Sequence, residues 1–284
     1  MPDLSGKTCV VTGATSGIGE STALALVRMG ARVVVVGRSR ERGEATLSRL
    51  AAAGGAGRVE LRLADLASLA EVRRLAGEIL DTCPELHLLV NNAGLVNLER
   101  RITVDGFEET FAVNHLAYFA LTNLLLERLV ASAPARIVNV ASDAHRFGAL
   151  DLDDLQNENR YRSMQTYGRS KSANILFTIE LARRLAGTGV TANALHPGAV
   201  ASRLGTQNGW VGKLVTGLLK PFFKTPDQGA RTSVHVATVP ELDGISGAYF
   251  AKCREKRPAA PARDPETARR LWETSARLTG TGAP

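Results

Sequence analysis

Cysteine is scarce in this chain: Cys9, Cys83 and Cys253 are the only three among 284 residues, odd in number, scattered and without a C-x-x-C pair. That pattern supports neither a disulfide framework nor a zinc site, and it fits a reducing cytoplasm. Aromatic residues make up only 5%, and no basic run of five or more occurs despite a formal charge of +7. Arginines spread through every segment do not form the concentrated basic face that nucleic acid requires, so no nucleic-acid partner is expected. A phosphorylated, anionic small ligand matches that charge better. The opening MPDLSGKTCVVTG lacks a charged n-region, an apolar h-region and a small-residue cleavage site, so no export signal is read there and a cytoplasmic location is expected. Metal-ligand patterns are missing too. His145 and His196 have no carboxylate or second histidine at ligand spacing and are read as loop or packing residues. The cluster Asp151, Asp153 and Asp154 has no EF-hand pattern and is read as a solvated loop, and Cys253 as a small buried residue.

What the chain does have is rhythm. The runs TCVVTG (8–13), RVVVVG (32–37), RVELRLA (58–64), LHLLVNN (86–92), ARIVNVAS (135–142) and VTANALHPG (190–198) alternate with helical stretches. Those stretches start near Gly17, Ser39 and Ser68, extend from about Asp105 to Val130, and include the segment that holds Tyr167. Strands of near-continuous Val, Ile and Leu separated by helices predict βαβ units. The expected fold class is α/β, a single-domain doubly wound parallel sheet of Rossmann type with helices on both faces. A hydrophobic content of 44% suffices for its core. No linker divides residues 1–256. RPAAPAR (257–263) ends that body, and DPETARRLWETSARL after it predicts a docked terminal helix with Asp264 as cap and Pro265 in the first turn, so 257–284 is read as linker and helix.

Two short patterns carry chemistry. TGATSGIG (12–19) lies between the first strand and the first helix, where Gly13, Gly17 and Gly19 permit a tight turn and helix-start N–H groups face an anion. A plain strand-to-helix turn would use the same glycines. In TYGRSK (166–171), Tyr167 and Lys171 are neighbours on one helical face, a spacing that by itself also describes a snorkelling lysine beside a half-buried tyrosine. The G-x-x-x-G-x-G spacing is followed in order by Asp65-Leu66, NNAG (91–94), Asn114, Ser142, Tyr167, Lys171 and Pro197-Gly198. Together these resemble the short-chain dehydrogenases/reductases over about 190 residues. RIVNVASDAH, YGRSKSANILFTIELARRL, TGVTANALHPGAV, KTPDQGA and ETARRLWE are similar to segments of that family's retinol-dehydrogenase-like branch, as is the long insertion between Ser142 and Tyr167.

The resemblance implies a catalytic set of Asn114, Ser142, Tyr167 and Lys171. Tyr167 would exchange a proton with an alcohol or carbonyl oxygen, the Lys171 ammonium would favour its phenolate, Ser142 would hydrogen-bond the substrate oxygen, and Asn114 would anchor a water chain to the lysine. Implied cofactor contacts are Gly13, Ser16, Gly17, Ile18, Gly19, Arg38, Ser39, Asp65, Leu66, Asn91, Ala93, Gly94, Tyr167, Lys171, Pro197 and Val200. Gly37 stands where the family's NAD-preferring members carry Asp, and Arg38 follows, as in its NADP-preferring members; a guanidinium suits a 2′-phosphate. Ser16 departs from the basic residue many of the latter have. The expectation is an NADP(H)-dependent alcohol dehydrogenase or carbonyl reductase acting on a lipophilic aldehyde, ketone or alcohol, with the direction open. A non-catalytic NADP-sensing regulator and a carbon–carbon double-bond reductase related to the protochlorophyllide reductases are the alternatives. The family's helix-to-helix dimers leave a homo-oligomer open. Residues 199–225 would form the substrate loop and helix. Within it WVGKLVTGLLKPFFK (210–224) carries Val211, Leu214, Val215, Leu218 and Phe222 at helical spacing, which fits a core helix, a peripheral membrane contact or a lid over a lipophilic substrate.

Overall fold

The computed structural model describes residues 2–198 and 225–282. Strands β1 (Thr8–Thr12), β2 (Arg32–Gly37), β3 (Val59–Leu63), β4 (Leu88–Asn91), β5 (Ala135–Val140), β6 (Val190–His196), β7 (Tyr249–Ala251) and β8 (Arg254–Lys256) form one sheet in the order β3-β2-β1-β4-β5-β6-β7-β8. All pairings are parallel except the last, β7 with β8. Helices α1 (Gly17–Arg28), α2 (Arg40–Leu50), α3 (Leu69–Thr82), α4 (Glu109–Phe111), α5 (Ala117–Ala131), α6 (Ser163–Arg184), α7 (Pro226–Thr238) and α8 (Pro265–Thr279) cover both faces.

The unbroken Val runs follow from that burial. On one face Val10, Val34, Val36 and Leu89 pack against Val72 and Ile79 of α3, Leu121 of α5 and Phe177 of α6. On the other, Cys9, Val11, Val33 and Val35 pack against Leu26 of α1 and Val236 of α7. Successive strand residues thus both meet a helix layer, which is why no polar alternation marks these strands. Strand order reverses between β1 and β4, so the loops leaving their carboxyl ends diverge and open a crevice.

The helix expected from about Asp105 starts later and is interrupted. Gly106 sits at φ +82° in a turn closed by Thr103 N–H donating to Phe107 O at 2.8 Å. The fully buried Glu108 carboxylate then caps α4, accepting from Thr110 N and Phe111 N at 2.8 Å each. One π turn, Ala112–Leu116, separates α4 from α5. At the other end of the chain Asp264 accepts from Thr267 N at 2.8 Å and caps α8, whose Ala268 and Leu271 pack on Ala173 and Leu176 of α6. Trp272 stacks on Phe177 and meets Phe119 edge-on. No helix among the described residues is long and apolar enough to cross a membrane. The 210–224 helix and the Val200 contact lie outside the described residues.

Candidate functional site

A cleft of about 480 Å³ opens at the carboxyl ends of β1, β2, β4 and β5. Its floor is set by Thr12, whose hydroxyl accepts from Asn92 N at 2.9 Å and Ala93 N at 3.1 Å, while Asn92 Nδ2 donates to Thr12 O at 2.8 Å. These bonds press the first turn against the end of β4. Gly13 adopts φ +64°, and a Cβ there would lie 2.7 Å from Ala93 Cα, so only glycine fits. Ser16 gives α1 no side-chain cap, whereas Ser39 and Ser68 cap α2 and α3. The first-turn N–H groups of α1 therefore remain available to an anion in the cleft.

At the end of β2 a Cβ on Gly37 would come within 2.4 Å of Thr15 Cγ2, so Thr15 fills the space a larger residue would need. Arg38 is exposed on the cleft wall. Arg42, one turn into α2, lines the same wall, and its Nε is buried without a hydrogen-bond partner. A buried cationic donor with no acceptor is costly and fits a site that receives an anionic oxygen.

The cleft brings together most of the residues the sequence singles out: Gly13, Ser16, Gly17, Ile18, Gly19, Arg38, Asp65, Leu66, Ala93, Gly94, Ser142, Tyr167, Lys171 and Pro197. Two expected contacts are corrected. Asn91 is fully buried beneath the sheet's end, its Nδ2 donating to Thr122 Oγ1 and Asn139 Oδ1 at 2.9 Å each, and Asn92 faces the cleft instead. Ser39 Oγ accepts from Arg42 N as the cap of α2 and lies outside the lining, where Arg42 takes its place. Thr12, Thr15, Asn92, Arg42 and Tyr118 escaped the sequence reading. Thr12, Thr15 and Asn92 lay inside the TGATSGIG and NNAG segments without being singled out, Arg42 showed only as a cation four residues after Arg38, and Tyr118 left no signal.

Tyr167 and Lys171 project from α6 one turn apart, 9% and 3% exposed. Lys171 Nζ donates to Val140 O at 2.9 Å and lies 5.6 Å from the Tyr167 ring centre and 5.7 Å from that of Tyr118. Tyr118 in turn donates its O–H to Ala93 O at 2.7 Å. Asn114, in the π turn, accepts from Leu95 N at 2.8 Å and donates to Leu95 O and Ser170 Oγ at 3.0 Å each. Its side chain thus stitches the strand-four loop to α6. Asn114 Oδ1 and Lys171 Nζ would lie 3.3 and 3.6 Å from a Cβ on Gly94, so the two converge on that backbone.

Burial dominates the titration of this pair. Burial pushes the Tyr167 phenol up to about 12, with a hydrogen bond from Ser142 acting the other way. Burial also pushes Lys171 down to about 7. Desolvation disfavours both charged forms, the phenolate and the ammonium. The arrangement presents a buried proton donor and a serine hydroxyl side by side in a cleft suited to phosphate at its glycine-rich turn. Among the described residues no three His, Cys, Asp or Glu side chains are grouped to hold a metal ion. The aspartates of the insertion serve their own loop, Asp151 Oδ1 accepting from Asp153 N and Asp154 Oδ1 from Glu158 N, and Asp151 also pairs with Arg169 of α6 at 3.7 Å.

Residues 7–209 match the short chain dehydrogenase family. Retinol dehydrogenase 12 of Mus musculus is 47% identical over 275 residues, covering 97% of this chain and 87% of that protein. Retinol dehydrogenase 14 of Homo sapiens is 45% identical over 292 residues, with 97% and 87% covered. Among solved structures, an uncharacterized protein from Mycobacterium Paratuberculosis superposes with a TM-score of 0.81 at 36% identity, over 100% of this chain and 97% of that one. A Pseudomonas aeruginosa RhlG/NADP active-site complex gives 0.69 at 28% identity, over 87% and 95%.

Proposed function

The chain belongs to the short-chain dehydrogenase family, an oxidoreductase akin to the retinol dehydrogenases, and on that premise we propose that it is an NADP(H)-dependent alcohol dehydrogenase or carbonyl reductase for lipophilic substrates. The observation that carries the reading is the convergence of Tyr167, Lys171 and Ser142 in the same cleft that presents Arg38 and Arg42. The family's nicotinamide cofactor fits the residues present: the uncapped start of α1 suits its pyrophosphate, and the partnerless Arg42 Nε with Arg38 suits a 2′-phosphate. Thr15, crowded against Gly37, leaves no room at that position for an acidic ribose partner.

When bound, the nicotinamide supplies or accepts a hydride at the substrate carbon. The chain's own residues handle the oxygen. In reduction Tyr167 donates its proton to the carbonyl oxygen, and in the reverse, oxidising direction the deprotonated phenolate accepts the proton of the alcohol. The Ser142 hydroxyl hydrogen-bonds that oxygen and stabilises the charge it develops. Lys171, fixed by Val140 O and flanked by two aromatic rings, sets the field around the phenol. Asn114 holds the Leu95 backbone against α6 and so keeps Gly94 next to Lys171. Relatives named for retinol support a lipophilic substrate.

The test is a screen of NADPH and NADH consumption with aldehydes, ketones and retinal, run beside the reverse reaction with the matching alcohols. NADPH-dependent conversion of a carbonyl to its alcohol is expected. NADPH binding without turnover would replace this reading with a sensor, and a saturated product with its carbonyl intact would replace it with double-bond reduction.

A further inference from the structure

His145 lies outside the cleft lining, yet it is 2% exposed and sits directly behind Ser142. Its Nδ1 is 2.7 Å from the Ser142 carbonyl oxygen, and its Nε2 is 3.1 Å from the backbone nitrogen of Ala259. A carbonyl only accepts and a backbone N–H only donates. One state of the ring satisfies both partners: neutral, with hydrogen on Nδ1 and a lone pair on Nε2. The surroundings hold it there, since burial foremost pushes its pKa below the usual histidine range. Tyr249 meets the ring edge-on at 5.3 Å and donates its own O–H to Asp143 Oδ1 at 2.9 Å.

The turn that follows Ser142, Asp143–Phe147, is anchored from two sides. On the helix side Ser172 Oγ lies 2.6 Å from Gly148 O and 3.2 Å from His145 O. On the other side, the bond from Ala259 to His145 ties the turn to the segment that leads into α8. What this fixes is the Ser142 hydroxyl. Ser142 Oγ accepts from Ala144 N at 3.2 Å, so one lone pair is engaged by the turn's own backbone and the O–H proton is free to point elsewhere.

We propose that His145 is a positioning residue: clamped by the Ala259 N–H, it holds the Ser142 carbonyl and thereby sets the direction in which the Ser142 hydroxyl meets the substrate oxygen. The inference rests on the role proposed above for Ser142. It makes the 257–263 segment, remote in sequence from every motif residue, a part of the reacting end.

Three variants test it with NADPH and nonanal as probes. Ala259→Pro is compatible with the φ of −56° at Ala259; it removes the N–H donor, and its Cδ, taking the place of that hydrogen, also pushes the imidazole off its 3.1 Å seat. His145→Ala removes both side-chain bonds while the His145 backbone N–H still reaches the Ser142 carbonyl at 3.1 Å, and His145→Asn keeps a side-chain N–H for that carbonyl. Expected are a kcat loss of roughly tenfold for Ala259→Pro and up to about a hundredfold for His145→Ala, the scale of a catalytic group misplaced by about 1 Å. NADPH affinity, read by fluorescence titration, should stay within about twofold, and His145→Asn should recover part of the rate. The double variant should be no slower than His145→Ala, because both changes cut one tie. Lower melting temperatures with unchanged kcat, or losses that multiply in the double variant, would overturn the proposal. If His145→Ala fails to fold, Ala259→Pro decides alone. A wild type that binds NADPH but turns over no carbonyl in the screen above overturns the function itself and this inference with it.

Discussion

Replacing Lys171 by methionine removes an ammonium that burial holds at a pKa of about 7 instead of 10.5. That depression corresponds to about 5 kcal/mol of preference for the unfolded chain when the lysine is charged. The sign follows from the protons bound: between the two values the unfolded chain holds a proton the folded one lacks, so wild-type stability rises with pH across that window. The full penalty is present below about pH 7 and is gone once pH passes the unfolded value. Methionine has a similar length and no charge. It forfeits the 2.9 Å bond to Val140 O, but that carbonyl keeps Asn174 Nδ2 at 3.4 Å, so the loss is about 1 kcal/mol. Lys171→Met should therefore be more stable than wild type at pH 6 by about 2–4 kcal/mol and should lose that advantage by about pH 10, while turnover disappears. Urea unfolding at pH 6, 8 and 10 without added nucleotide reads this directly. A variant less stable than wild type at pH 6, or a difference that does not change with pH, would refute the desolvation argument.

Two further outcomes follow from single sites. Arg42→Met should weaken NADPH on the order of tenfold and leave NADH unchanged, the loss of one charge-assisted bond to phosphate, and paired titrations showing equal weakening of both would remove Arg42 from the 2′-phosphate. Trp272→Ala should cost about 3–5 kcal/mol in urea unfolding, since the indole is 3% exposed against Phe119 and Phe177 with the Arg184 guanidinium 4.2 Å from its ring centre; a loss below about 1 kcal/mol would mean α8 is not part of the core.

Five of the six longer strands were legible because burial on both faces leaves runs such as RVVVVG and LHLLVNN with no other use, whereas the edge strand β3, half-buried throughout, showed as the alternating VELRL. β7 and β8 were not legible, being three residues each, with β8 charged and exposed throughout. The apolar pattern runs through Phe107 and hides the break at Glu108, whose capping carboxylate is buried where sequence leads one to expect an aliphatic residue. The site shows the same division. Motif order placed Ser142, Tyr167 and Lys171 in one cleft, yet Asn91 and Asn92 are chemically identical, and only the pleat decides which faces the ligand. Ser39 and Arg42 exchanged roles for a local reason, the serine being spent on a helix cap. The direction of the Tyr167 shift was beyond reach for another: it depends on how deeply phenol and ammonium are buried, and i, i+4 spacing carries no burial.

In the proposed function Tyr167 is the proton donor to the substrate oxygen. Tyr167→Phe removes that proton and almost no volume, and single-turnover oxidation of bound NADPH by an aldehyde, followed at the nicotinamide absorbance, isolates the chemical step. NADPH affinity should be unchanged and the rate down on the order of 10²–10⁴-fold. A phenylalanine variant that keeps its rate within about tenfold of wild type would contradict it.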